Sequence, residues 1–212
     1  KIHQLISGYT YRNTYEKYHW AYDGLLKNSA MFNTVQGWVL KTGFSHHRWN
    51  EQTGKNTNYT ADFNYGLAEQ QLRYTLGYFH QFNQINYSNI TASVGNSVQQ
   101  FNAEEPVSEL GNTVSTLFFK NNFIKLYHKQ FTKVKYGIDV FSGLYITGAL
   151  EHQNRKALFN HTTYSTIKYD ERYTSNHPQA PFDFQTPNIK NHNLTLFSLE
   201  ATLKFGQKYI SH

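Results

Sequence analysis

The chain has no cysteine, one methionine (Met31), four prolines, and charged side chains at only 16% of its 212 positions. Without cysteine it has neither a disulfide framework nor a thiolate metal site. No run of about 18 apolar residues occurs, which excludes a transmembrane helix. A strand-built span stays open, since a barrel strand needs only about 9 to 11 residues of alternating character. No basic leader or apolar signal core precedes the first strand-like segment, so we expect the natural chain to begin upstream of Lys1.

What is abundant is aromatic: 17 Tyr, 16 Phe and 3 Trp. Mean hydropathy is still negative, at -0.66, because Asn, Gln, Ser and Thr fill the remaining positions, and that mixture favours strands. The formal charge of +6 and the pI near 9.3 suit nucleic acid, an acidic glycolipid surface or a basic pore lining. They suit equally a solvated, mildly basic surface with no dedicated anionic partner.

Alternation carries the fold reading. Tyr59, Ala61, Phe63, Tyr65 and Leu67 alternate with Asn58, Thr60, Asp62, Asn64 and Gly66. After a short polar turn at Glu69 to Gln71, the pattern restarts as Leu72, Tyr74, Leu76 and Tyr78 against Arg73, Thr75, Gly77 and Phe79. Two period-2 strands joined in this way form a hairpin. Trp38, Leu40 and Phe44 share a face with Gln36 and Thr42, and Phe197, Leu199, Ala201, Leu203 and Phe205 alternate with Ser198, Glu200, Thr202 and Lys204. A polar row opposite a continuous apolar row is what a barrel in lipid requires, so Tyr59, Phe63, Tyr65, Leu67, Leu72, Tyr74, Leu76 and Tyr78 are expected to face lipid, and Asp62, Asn64, Arg73 and Thr75 a lumen. The alternative is a soluble β-sandwich with one long loop.

Tyr136 to Gln153 reads as one long strand, with Gly137, Gly143 and Gly148 as places to bend or bulge. The join at Glu69 is short, whereas Asn154 to Lys190 is long, polar and proline-bearing, which suggests short turns on one side and long loops on the other. One stretch breaks the alternation: Leu110, Leu117, Ile124 and Phe131 recur every seven residues, with Val114 and Phe118 alongside and Ser108 as N-cap. The spacing predicts an amphipathic helix within 107–131, at a barrel rim or in the lumen; a hairpin turning at Asn121 and Asn122 is the alternative.

Eleven His residues invite a metal reading, but His46 and His47 are adjacent and on a strand point to opposite faces. Glu104 and Glu105 precede a proline and suggest a loop, not an acid/base pair. No phosphate loop, nucleophile elbow or Ser/His/Asp constellation is recognisable. The interleaved lysines and aromatics of Lys125 to Tyr136 serve a helix end and a strand start as well as they would serve single-stranded nucleic acid. Asn58, Asn86, Asn89, Asn160 and Asn193 head glycosylation-like tripeptides that so Asn-rich a chain makes by chance.

Five motifs, "FNTVQGW" (Phe32 to Trp38), "NTVSTLFFKNNFIKLYHKQF" (Asn112 to Phe131), "GLYITGALEHQNRKALFNHTTY" (Gly143 to Tyr164), "YTSNHP" (Tyr173 to Pro178) and "FGQKYI" (Phe205 to Ile210), occur in an order that resembles a family of Bacteroidota outer-membrane proteins. In that family a carboxypeptidase-regulatory-like β-sandwich precedes a large barrel of uncharacterised function, distantly similar to the surface-antigen barrels of outer-membrane assembly machinery. Gln36 stands where the resemblance leads one to expect an acidic residue. The resemblance implies an all-β antiparallel transmembrane barrel, partial, of 7 to 9 strands: residues 1–31 a lead-in and first strand, residues 32–212 the first half of the barrel. It further implies a non-enzymatic role in outer-membrane protein assembly or envelope biogenesis, with a channel as the alternative; apart from the resemblance, a soluble secreted β-sandwich that binds glycans through surface aromatics and, as a minority reading, an enzyme stay open. The expected partners are outer-membrane lipid and other envelope proteins, not nucleic acid. No catalytic, cofactor-binding or metal-binding residue is nominated, and no cofactor.

Overall fold

The computed structural model describes residues 2–25, 31–102, 104–167 and 170–204. A short helix, α1 (Ile2–Ser7), leads into β1 (Tyr9–Asn13), β2 (Tyr18–Tyr22), β3 (Met31–Asn33), β4 (Gly37–Asn50), β5 (Lys55–Gly66), β6 (Gln71–Gln81) and β7 (Asn89–Gln100). Helix α2 (Glu109–Phe119) follows, then β8 (Leu126–Phe141), β9 (Leu144–Ala157) and β10 (His192–Leu203). All ten strands form one antiparallel sheet in the order β1-β2-β4-β5-β6-β7-β8-β9-β10, with β3 paired to the start of β4. Each strand of the main path thus pairs with its neighbour in the chain, β3 aside. The sheet is not closed, and β1 and β10 are its edges among the described residues.

The β5–β6 hairpin forms in the expected register: Tyr65 pairs with Leu72, Phe63 with Tyr74 and Tyr59 with Tyr78, while Asn64 pairs with Arg73 and Asp62 with Thr75. Leu67 falls outside it, in the turn that joins the two strands. At one end of the sheet the connections are tight, and asparagine opens most of them. The side chain of Asn13 accepts the Glu16 N–H, Asn50 that of Thr53, and Asn83 those of Ile85 and Asn86, closing turns through local side-chain acceptors. At the opposite end lie the β2–β4 connection, the β7–β8 crossover with α2, and the long run from 158 to 191.

Several expectations are corrected. Ten strands form among the described residues, not 7 to 9, because the aromatic segments before residue 31 supply β1 and β2. Tyr136 to Gln153 is not one strand. Phe141 and Leu144 pair across a two-residue turn, Ser142 and Gly143, in which Gly143 takes φ 92°. The short Glu69 turn and the long 158–191 connection lie at the same end of the sheet, so the asymmetry rests on the other tight turns. The helix is shorter than 107–131: Lys120 adopts the left-handed conformation (φ 61°) and its N–H bonds Ser115 O, ending the helix. Phe131 belongs to β8. Leu110, Val114 and Phe118 stay exposed, and α2 buries Asn112, Thr113, Thr116 and Leu117 instead. Phe205 and the "FGQKYI" motif lie outside the described residues. The two packed sheets of a sandwich are not found among the described residues, whose strands all join one sheet.

A Cβ on Gly143 would meet Lys204 O at 2.6 Å in addition to the strain of its positive φ, whereas one on Gly148 meets nothing within 4 Å. Gly143→Ala should cost about 1 to 3 kcal/mol and Gly148→Ala less than about 0.5 kcal/mol in a urea titration of the folded protein.

Candidate functional site

Most of the buried residues among those described form a cap at the long-loop end, and they are largely polar. Asn33 folds the β3–β4 turn by accepting the N–H groups of Val35 (3.0 Å) and Gln36 (2.8 Å). Gln36 then donates to Asn64 at 3.1 Å and accepts from Asn33 at 3.2 Å, so it leaves the strand face it was expected to share with Trp38 and suits its place as a neutral amide. Ser108 caps α2, which turns Asn112 inward. The Asn112 side chain accepts the N–H groups of Phe123 (2.8 Å) and Ile124 (3.1 Å) and donates to Asn122 (3.0 Å). Asn122 donates to Thr34 (2.8 Å), and Thr34 to Asn160 (2.7 Å). Asn176 accepts the Leu126 N–H and donates to the Leu126 and Leu158 carbonyls. A small apolar cluster of Val35, Ile124 and Leu126 sits among these groups. Tyr173 is buried with its hydroxyl on Thr116 O and Tyr164 O, and burial pushes its pKa up to about 12.

The second feature is the outward face. Register carries one apolar surface across β4 to β10: Leu40 and Phe44, then Tyr59 to Tyr65, Leu72 to Tyr78, Ile90 to Val94, Val134 and Tyr136, Ile146 and Leu150, and Phe197 to Leu203. No other part of the described structure covers it: Leu72, Leu150, Phe197 and Leu199 are 57%, 55%, 74% and 69% exposed. Towards the tight-turn end the surface becomes a row of rings, in which Trp20 meets His46 (4.2 Å), His46 meets Tyr59 (6.0 Å), Tyr59 meets Tyr78 (5.2 Å), and Tyr22 stacks on Phe44 (4.9 Å).

The apolar band also slopes across the sheet. Its midpoint on β5 is Asp62, between Tyr59 and Tyr65, and on β10 is Glu200, between Phe197 and Leu203. Followed through its partners, Glu200 maps to Thr147, Gly137, Asn89, Gln81 and finally Asn56, six residues from Asp62 over five strand intervals. At about 3.4 Å per residue and about 4.8 Å per strand the band is level only if the strands tilt by about 40° from its normal.

The opposite face is polar and internally paired. Glu151 takes Lys129 at 2.6 Å and Lys133 at 3.3 Å, which places the basic run of Lys125 to Tyr136 in a strand ladder. Arg73 and Glu69 form a buried two-bond ion pair, and Lys41 reaches from β4 to Glu109 at the start of α2.

Among the described residues no group of three or more His, Asp or Glu is placed to hold a metal ion. His46 lies in the outward ring row, and His47 stacks on Trp49 (5.3 Å) on the other side of β4. Glu104 and Glu105 lie in the loop before α2. Of the glycosylation-like positions, Asn58 and Asn193 are strand residues, and Asn160 is tied into the cap. No local pattern marks the cap as a unit; its trace in the sequence is the tripeptide Asn-Thr-Val, which occurs at Asn33 and again at Asn112.

Removing the Asn112 amide strands the buried Ile124 N–H and the half-buried Phe123 N–H and takes a donor from the buried Asn122. Asn112→Ala should cost about 3 kcal/mol or more, against less than about 0.5 kcal/mol for the exposed Asn121→Ala, in the same urea titration.

No curated protein and no solved structure matches the chain. One family model does, over residues 3–212: the C-terminal domain of a family of unknown function, DUF5686. With nearly its whole length matched, the chain belongs to the DUF5686 C-terminal domain family.

Proposed function

We propose that this domain is part of the wall of an integral outer-membrane β-barrel in a Gram-negative, Bacteroidota-like cell, with a non-enzymatic role in outer-membrane protein assembly or envelope biogenesis. The observation that carries the reading is the outward face. An apolar surface spanning seven strands, without protein cover, is costly in water and favourable in hydrocarbon. Two quantities support lipid as its solvent. Strands β4 to β10 run from 11 to 16 residues, long enough to cross at about 9 to 11 residues each. The slope of about 40° falls within the 35–45° tilt of outer-membrane barrel strands. Rings gathered towards one border suit the water–lipid interface.

The cap favours assembly over an open channel. Helix α2 and its loops are anchored to the polar face through Lys41 and Glu109, so the mouth of a lumen on that side is partly covered. Assembly also rests on the motif resemblance to surface-antigen barrels, and the upstream regulatory-like sandwich is part of the same proposal.

The full-length protein should remain in the membrane fraction after alkaline extraction and shift its mobility on heating in detergent. Release as a soluble protein would refute the membrane reading; large, steady single-channel conductance would favour transport. Phe63, beside the band's midpoint, faces outward, and Thr75 faces the other way beside Asp62. Phe63→Arg should cost about 2 to 4 kcal/mol in a lipid-folding titration and Thr75→Arg less than about 1 kcal/mol; equal costs would overturn the assignment of faces.

A further inference from the structure

A cleft of about 440 Å³ opens in the cap between the end of β7, the residues after α2 and the 173–178 segment. It is lined by the amides of Gln100, Asn102 and Asn121, by Phe101 and Phe123, and by Lys120 and Lys125; no Asp or Glu is among its lining residues. Its size is that of a small-ligand pocket, and the mixture of apolar walls with a few converging polar groups is the usual composition of one.

Lys125 is the unusual member. Its ammonium donates to Thr174 Oγ1 at 2.8 Å and to Ser175 O at 2.6 Å. An ammonium carries three N–H donors, so one remains for another acceptor. Both partners are neutral, and burial lowers its pKa from the ordinary lysine value to about 8. Lys125 is half-buried and Lys120 buried; Lys120 donates to Thr163 O (3.1 Å) and Ser165 Oγ (3.0 Å) and lies 4.8 Å from the centre of the Tyr173 ring. Two desolvated cations on neutral oxygens cost folding energy that an opposite charge would return. Nine residues separate Lys125 from Val134, where the apolar band on β8 begins. That is about 30 Å of strand, so the cleft lies in an aqueous region whatever solvent bathes the band.

We propose that this cleft binds a small organic anion, a carboxylate or phosphate monoester bearing an apolar group, with Lys125 as its charged anchor and Lys120 as a second positive group. The anion completes the coordination of the Lys125 ammonium, the Asn121 amide and the second N–H of the Asn102 amide, whose first donates to Glu105 O at 2.6 Å, supply neutral donors, and Phe101 and Phe123 take the apolar part. The inference does not depend on the membrane reading.

Calorimetric titration of the detergent-purified full-length protein with benzoate, phenyl phosphate and the neutral benzyl alcohol tests it. Saturable binding of at least one anion and none of the alcohol is expected. Lys125→Met should weaken that binding at least tenfold, and Lys190→Met, on an exposed loop lysine, should leave it unchanged. Binding of phenyl phosphate alone would assign a phosphate ester, and of benzoate alone a carboxylate. If Lys125→Met fails to fold, Asn121→Leu, at an exposed position of the same cleft, should weaken binding at least threefold. Absence of saturable binding to the wild-type protein, equal binding of the alcohol, or full affinity in the folded variants would overturn the proposal.

Discussion

Everything in this fold depends on strand register being kept across the apolar band; among the described pairings of β4 to β10 the one shift, between Asp139 and Phe141, falls next to the β8–β9 turn. Because side chains on a strand alternate between faces, displacing any pairing by a single residue would move its whole apolar set to the other side. Between β4 and β10 six successive pairings hold the same parity, so Leu40, Tyr65, Leu72, Val94, Val134, Leu150 and Phe197 emerge on one surface and Asp62, Arg73, Lys133 and Glu151 on the other. Tight turns set this register locally. Asparagine side chains close several of them, and Gly143 permits the sharpest.

The sheet and the cap use different physics. Along the strands the backbone ladder supplies the order and the apolar side chains are left to whatever medium surrounds them. In the cap, directional hydrogen bonds from Asn33, Asn112, Asn122, Asn160 and Asn176 satisfy backbone groups, the Ile124 carbonyl in the case of Asn122. That is how three irregular segments, distant in sequence, pack at one end with few apolar residues between them.

The alternating strands were legible in the sequence because period 2 is a local property. The β5–β6 hairpin, including which residues face each way, follows from Tyr59 to Tyr78 alone. The helix was legible in kind but not in extent: the seven-residue recurrence ran on through Ile124 and Phe131, while the left-handed Lys120 and the grip of Asn112 on Phe123 and Ile124 stop it. Its buried face was not legible, because α2 packs its amide and hydroxyl side against polar partners, the reverse of the pattern that hydropathy reads. Ser142-Gly143 does not stand out as a turn, because alternation continues on both sides of it. The cap was invisible for a more general reason: contacts such as Thr34 to Asn160 span 126 residues, and no local pattern reports them.

The division between an amide-bonded cap and an exposed apolar band sets how this family can diverge. Leu150 needs only to be apolar, since dispersion and hydrophobic transfer have no direction and a Val or Phe would serve. Asn112 has to accept two N–H groups on one atom and donate from another at fixed angles, which an ionised Asp or an apolar residue of its size cannot do. Members of the family should therefore drift freely along the strands in hydrophobic identity while holding the cap nearly invariant. The slowest-changing positions would then be polar residues in loops, the reverse of what an ordinary globular core dictates.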